Sequence, residues 1–385
     1  MKVLVVIDSL SFGGAENVLV TLAAEAPRLG LELDLLSLAP PTRGRAAWLP
    51  RLQAAGLEPR FLDVERLTQR DAIPTLAAAI RRSQCDVVHA HLETAITLAP
   101  IAARLADRPA VCTLHHVPGP LTGRDALRER LAVAVGSRSA GLIMVSQASH
   151  DAFAARYPRS HRPDRWQVIR NGVDLQRFRP LTDAERPGLP EFGLLPGTPI
   201  VSMVGHMRPG KGHEVAIRAW PKVLLGAPDA RLLLIGDGPL EQQLRDLTDQ
   251  LGIADRVVFA GARDDVAAVL RHSSLVVLPT KSEALPTVLM EAAASGVASV
   301  ATAVGGVPEV IVEGETGWLV ATDTADAFAD ALTVALVDKA ETGRRGRAAR
   351  AHAERQFGSA VWAQRLDDCY QGVARRRAPR LLSRR

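Results

Sequence analysis

The sequence predicts an α/β fold of two Rossmann-like, doubly wound parallel-sheet domains facing a cleft. Three observations predict it. Short apolar runs of strand length alternate with stretches of helical periodicity from one end to the other. The alternation breaks once, at a proline-rich stretch over 178–199, and then restarts. The 385 residues are enough for two ordinary domains, each with its own core.

The first half reads as follows. KVLVVID (2–8) is a strand, followed by a glycine loop and a helix over 15–29. LELDLLSL (31–38) is the next strand. After a Pro/Arg-rich loop come EPRFLDV (58–64), a helix over 73–82 and the strand DVVHAHL (86–92). AVCTLHH (110–116), GLIMVSQ (141–147) and RWQVIRN (165–171) complete the half. The second half restarts with PIVSMVG (199–205), a glycine loop and a helix from His213. RLLLIGDG (231–238), RVVFAG (256–261), SLVVLPT (274–280), ASVATAV (298–304) and GWLV (317–320) follow. A last helix over 359–374 carries Trp362, Leu366, Tyr370 and Val373 at helical spacing. The expected domains are 1–178 and 200–358, joined by a linker over 179–199, with a basic tail over 375–385.

Composition is that of a soluble globular chain, 47% hydrophobic and 23% charged. The three cysteines (Cys85, Cys112, Cys369) are far apart and form no C-x-x-C, which argues against a disulfide framework or a zinc site. The amino terminus goes straight into a strand, with too short an apolar run for a signal peptide. No run approaches a membrane-spanning length. The expectation is a cytoplasmic protein. The net charge of +5 sits in the last twelve residues, ARRRAPRLLSRR, which carry +6 and leave the remainder at −1. That tail reads first as a solvated terminus, and second as a tether to an anionic membrane surface. No aromatic platform accompanies it, so nucleic acid is not an expected partner.

Several motifs carry chemistry. Glu283 and Glu291 lie in SEALPTVLME, after the strand ending at Pro279. Pro286 suits the first turn of a helix, so Glu283 falls in the loop and Glu291 one turn or more into the helix. The amides near Leu285, Thr287 and Val288 are donors suited to a phosphate. Two glutamates at this spacing also occur in ordinary solvated helices. Gly13 and Gly14, in SFGGAE, let backbone approach a ligand at a helix start. This is not G-x-G-x-x-G, so a nicotinamide enzyme is disfavoured. His89 and His91 share one face of a strand, and without a third ligand they read as a hydrogen-bonded pair. Thr113-Leu114-His115-His116 ends another strand. Asn171-Gly172-Val173-Asp174 is a turn with a structural role. Gly205, His206, Arg208 and Lys211 lie in VGHMRPGKG, a glycine-rich helix entrance whose two cations suit a diphosphate. No D-x-D-like pair follows a strand, so no metal is expected.

The ordered set G-G-A-E, H-x-H, T-x-H, N-G-V-D, G-x₅-K-G and E-x₇-E resembles the retaining family 4 glycosyltransferases, over nearly the whole chain and most strongly over 201–320. The resemblance implies a GT-B fold, with the last helix crossing back to the first domain. It implies transfer of a sugar from a nucleoside diphosphate sugar, a UDP- or GDP-sugar, to a hydroxyl acceptor without a required metal or other cofactor. Lys211 and Arg208 would stabilise the departing diphosphate, Glu283 would hold sugar hydroxyls, Glu291 the ribose, and His115 the donor's hexose. Gly13, Gly14, Gly205, His206, Leu285, Pro286, Thr287 and Val288 would line the donor, and Arg263 falls where the family holds the base. Domain closure would exclude water.

The chain departs from the family's usual form twice, with Ala284 for a glycine and His206 for an arginine. A sugar-nucleotide 2-epimerase of the same fold and a nucleotide-sugar-binding protein with little activity are the alternative functions. The acceptor is left open. The helical stretch over 124–138 and the arginine tail leave room for a lipid-linked acceptor and peripheral attachment at the inner face of a membrane.

Overall fold

The structure is a computed structural model that describes residues 1–11, 14–41, 49–64, 67, 69–181 and 188–377. Gly13, the 42–48 part of the Pro/Arg-rich loop, 182–187 of the expected linker and the tail from 378 onward lie outside the described residues. The chain divides into two compact units, Met1–Gly172 with Ser359–Arg385, and Val173–Gly358.

The first unit is built on seven strands: β1 Lys2–Ile7, β2 Glu32–Ser37, β3 Arg60–Phe61, β4 Val87–His91, β5 Ala110–Leu114, β6 Gly141–Met144 and β7 Trp166–Val168. They lie in the order β3-β2-β1-β4-β5-β6-β7, and every pairing is parallel. Strand order reverses between β1 and β4, which are neighbours. Both faces of such a sheet are covered, so its strands read as unbroken apolar runs. Leu4, Val6, Val88, Ala90 and Cys112 point into one core. Val3, Val5, Ile7, Val87 and Val111 point into the other. The Ser359–Arg377 helix closes that second core with Trp362, Leu366, Tyr370 and Val373, all buried on one stripe.

Two elements differ from the sequence expectation. The helix expected over 15–29 is an α-helix only at Gly14–Glu25 and continues as a 3₁₀ turn, Ala26–Leu29. Pro27 lacks the N–H that the α ladder needs and crowds the residue before it. The strand expected over 58–64 pairs only at Arg60–Phe61, on the sheet edge.

The second unit has six parallel strands: β8 Ile200–Val204, β9 Arg231–Ile235, β10 Val257–Gly261, β11 Leu275–Leu278, β12 Ser299–Thr302 and β13 Gly317–Val320. Their order is β10-β9-β8-β11-β12-β13, with the reversal between β8 and β11. Ligands of open α/β sheets bind beyond the carboxyl ends of the strands at such a switch point. The loops that follow β8 and β11 therefore flank that crevice. The described end of the expected linker is not extended. Leu189 and Leu194 bridge each other and bury against Ile200, Leu233 and Val269.

Candidate active site

In the second unit, the loops after β8, β9 and β11 are stitched together through their backbones. Gly205 donates to the Ile235 carbonyl at 2.9 Å, Met207 to Asp237 at 2.6 Å, and Leu240 to Met207 at 3.0 Å. Lys281 donates to the Gly210 carbonyl at 2.9 Å, and the Thr280 hydroxyl reaches the same oxygen at 3.2 Å. Gly212 makes this approach achievable. Its φ is 82°, and a Cβ there would run into the Pro279 carbonyl. The glycines of the sequence motif thus bring the Lys211 loop against the Glu283 loop.

The result is an ion pair. Lys211 Nζ lies 2.6 Å from Glu283 Oε1, with only 23% and 14% of the two side chains exposed. At this depth the pair feels a lower dielectric than bulk water. The Glu283 loop is held from its far side too. Gly306 donates to the Glu283 carbonyl at 3.0 Å, and Gly305, at φ 50°, leaves no room for a Cβ beside that oxygen. Ala284 is buried and does not adopt a positive φ, so its departure from the family's glycine carries no strain.

Beyond the loop, Leu285 and Pro286 are buried, and Pro286 precedes the Thr287–Ala294 helix as its N-cap residue. The amides of Thr287 and Val288 have no acceptor inside that helix, and its dipole favours an anion there. Glu291 lies in the second turn and is 9% exposed. One short segment therefore supplies a carboxylate, free amides and a second, buried carboxylate. Lys211 supplies a cation from 72 residues earlier.

The other sequence-predicted residues are less uniform. Gly205 anchors the loop through its amide. His206 is exposed and lies 3.2 Å from Asp237, an acid that the sequence motif I-G-D-G-P did not mark for this contact. Arg208 is exposed and makes no ion pair among the described residues. Arg263 is already engaged: its guanidinium holds Asp265 at 2.6 and 2.5 Å and lies 4.8 Å from the centre of the Phe192 ring. In the first unit, Gly14 opens the Gly14–Glu25 helix and is exposed.

The first unit holds a second cluster at the carboxyl ends of β1, β4 and β5. Asp8 accepts from the amides of Thr94 and Ala95 at 3.0 and 2.6 Å and so caps the Glu93–Leu105 helix. Burial raises its pKa, partly offset by those two amides. Sequence reading missed this role, because the partners are 86 and 87 residues away. His89 uses both ring nitrogens, each at 2.7 Å, on Tyr370 Oη and Thr113 Oγ1. Burial lowers its pKa to about 3, so it is a neutral structural link from the last helix to the sheet. His91 Nδ1 lies 2.8 Å from His115 Nε2.

The two histidines after β5 turn to different partners. His116 turns to Glu129 at 3.2 Å, and that fully buried carboxylate also accepts from Tyr157 at 2.5 Å and pairs with Arg156 at 3.2 Å. His115 instead meets His91 edge to edge, with ring centres 5.1 Å apart and planes 22° from parallel. Burial lowers the His115 pKa to about 4. A small cavity adjoins this cluster, lined by His89, His91, Thr113, His115 and Asn171 among others. Among the described residues there is no group of three or more His, Cys, Asp or Glu arranged to hold a metal ion. Nor is any described helix long and apolar enough to cross a membrane.

Comparison with known proteins places this architecture. Residues 190–352 match the model of the glycosyl transferases group 1, and residues 12–177 match that of glycosyltransferase family 4. The D-inositol 3-phosphate glycosyltransferase of Nocardia farcinica is 30% identical over 388 residues, covering 89% of this chain and 81% of that one. A GDP-mannose-dependent alpha-(1-6)-phosphatidylinositol monomannoside mannosyltransferase of Mycolicibacterium smegmatis is 30% identical over 300 residues, 72% of this chain and 75% of that one. The solved structure of Anabaena HepE with UDP and glucose has the same fold, with a TM-score of 0.82 at 24% identity over 96% of this chain and 99% of that one. The chain belongs to the family 4 glycosyltransferases of the GT-B fold and is a glycosyltransferase.

Proposed function

We propose that the enzyme moves a sugar from a UDP- or GDP-sugar to a hydroxyl acceptor with retention at the anomeric carbon. The observation that carries this reading is the Lys211–Glu283 pair, 2.6 Å apart, immediately before the helix that bears Glu291. A half-buried ammonium and a half-buried carboxylate there can each take a new partner, a phosphate oxygen and a sugar hydroxyl respectively. Lys211, with Arg208, which makes no ion pair among the described residues, neutralises the diphosphate as the anomeric C–O bond breaks. The amides of Leu285, Thr287 and Val288 assist it. Glu291 accepts from the ribose hydroxyls. Gly205, His206 and Pro286 shape the pocket around the nucleotide, and Arg263, held by Asp265, acts on the base through its backbone.

The acceptor oxygen bonds to the anomeric carbon on the face from which the diphosphate leaves. Its proton passes to a departing phosphate oxygen, so the protein need not supply a separate base. Lys211 and Arg208, two cations of one glycine-rich loop, can balance the charge that a divalent ion would otherwise balance, which supports transfer without a required metal. His115 presents a ring nitrogen to a sugar hydroxyl. A uridine donor is supported by the UDP complex of HepE, and a guanosine donor by the GDP-mannose dependence of the mycobacterial relative. That relative's phosphatidylinositol-linked acceptor also supports a lipid-linked acceptor here. On the Gly123–Gly136 helix, Leu127 and Leu131 are 56% and 40% exposed beside Arg124 and Arg130, which offers a lipid surface both apolar and cationic contacts.

Donor turnover tests the reading. The full chain is incubated with UDP- and GDP-sugars, acceptor-lipid vesicles and a chelator, and nucleoside diphosphate release is followed. Release from donors of one base, and a glycoside with the donor's anomeric configuration by proton NMR, are expected. An inverted product, or activity that returns only with a divalent ion, contradicts it.

A further inference from the structure

The two histidines of the H-x-H motif differ in how fully they are hydrogen-bonded. His89 is saturated by Tyr370 and Thr113. His91 is not. It is 2% exposed, its Nδ1 faces His115 Nε2 at 2.8 Å, and its own Nε2 is buried with no hydrogen-bond partner among the described residues. Burial favours the neutral form of each ring, and a neutral imidazole carries a single N–H. A 2.8 Å contact between two neutral rings therefore contains one proton, and where it sits decides both tautomers.

Two arrangements exist. If His115 Nε2–H donates to His91 Nδ1, the remaining His91 N–H is a buried donor without an acceptor. If His91 Nδ1–H donates to His115 Nε2, the atom left over on His91 is a bare acceptor. Orphaned buried N–H groups are rarer than under-satisfied acceptors. The second arrangement is favoured on that ground. It leaves the His115 proton on Nδ1, and that nitrogen has no protein partner among the described residues.

We infer that His91 is a positioning residue, which fixes His115 as the Nδ1–H tautomer and aims that N–H as a hydrogen-bond donor to a sugar oxygen. The structural support is threefold. The two rings are parallel to within 22°. His91 itself is fixed by its place in β4, opposite Thr113 of β5. Its neighbour His89 lies 4.0 Å away, centre to centre, and is locked by two hydrogen bonds. A ring held on three sides can impose an orientation on its partner. The inference rests on the proposed role of His115 toward the sugar, but the tautomer can be read without any substrate.

The test has two arms. The first uses ¹⁵N-histidine-labelled full-length protein, with the His115 signals identified through a His115→Asn variant. Long-range proton–nitrogen correlations at neutral pH report which nitrogen carries the proton. The Nδ1–H pattern on His115 is expected, and an Nε2–H pattern overturns the inference. The second arm compares His91→Asn with His91→Asp. The asparagine amide can place an N–H where Nδ1–H was, whereas an ionised aspartate can only accept and drives the His115 proton to Nε2. The asparagine variant is expected to keep at least tenfold more kcat than the aspartate variant, with unchanged donor KM in both. Equal kcat values overturn the positioning role. If the tautomer is as expected but His115→Asn retains full activity, the His91–His115 couple stands and the proposed contact of His115 with the sugar falls.

Discussion

Replacing Gly305 by alanine isolates the contact that holds the Glu283 loop. Gly305 has φ 50°, and a Cβ at that position would overlap the Glu283 carbonyl oxygen. Two costs follow, and they are separable. A residue with a Cβ in the left-handed region costs about 1–2 kcal/mol of stability. The overlap is with backbone, so no rotamer relieves it, and the Glu283 loop must move by about 1 Å. A displacement of that size in a positioned group lowers turnover by roughly 10²-fold, or about 2.7 kcal/mol at the transition state. Gly314→Ala is the matched control, because Gly314 has φ 76° with nothing within 4 Å of the added carbon. Urea denaturation and steady-state kinetics are measured for both variants. Both should lose about 1–2 kcal/mol of stability, and only Gly305→Ala should lose about two decades of kcat. Equal kcat/KM values would refute the claim that this contact positions Glu283.

The other predictions address charge, packing and pH. Lys211→Ala removes the cation nearest Glu283 and should lower kcat by roughly 10²–10³-fold, and a loss under tenfold in single-turnover assays would exclude Lys211 from diphosphate stabilisation. Tyr370→Phe leaves a buried His89 nitrogen unpaired and should cost about 1–3 kcal/mol in urea denaturation, with nucleotide affinity unchanged. An unchanged midpoint would contradict that role. The pKa values of His89, His115 and His213 are depressed in the folded state, to about 3, 4 and 4, and that of His91 lies well below 6.5. The unfolded chain therefore binds more protons below pH 6.5, and stability rises with pH through this window. Their contribution is fully present above the unfolded pKa and is lost as pH falls from about 6.5 toward 4. Denaturation midpoints equal at pH 7 and pH 5 would contradict the buried neutral state of these rings.

The fold was legible in the sequence because parallel strands buried on both faces leave an unmistakable record. Each run such as KVLVVID or RLLLIGDG became a strand, and the four apolar positions of the last helix all became buried. Ends of elements were harder, since Pro27 changed the helix type without interrupting the apolar pattern. The layout of the E-x₇-E segment was legible because it is local, a strand, a loop and a helix in one stretch. Contacts distant in sequence were not. Asp8 meets the Thr94 amide from 86 residues away, and His89 meets Tyr370 from 281. Arg263 was expected beside the base, and Asp265 two residues on and Glu191 72 residues before it both engage its guanidinium. Past the end of β5 strand alternation stops being a guide, so the family resemblance alone pointed to His115 over His116. The buried Glu129, on a different helix, claims His116 and leaves His115 to His91.

The central claim is that the segment from Glu283 to Glu291 is the donor site. Calorimetric titration of the wild type and Glu291→Ala with UDP, GDP and their sugars, without added metal, tests it most directly. One base should bind the wild type at micromolar strength, and the variant should lose more than about tenfold in affinity, about 1.4 kcal/mol. If no nucleotide binds, or if Glu291→Ala binds as tightly as the wild type, the donor site lies elsewhere.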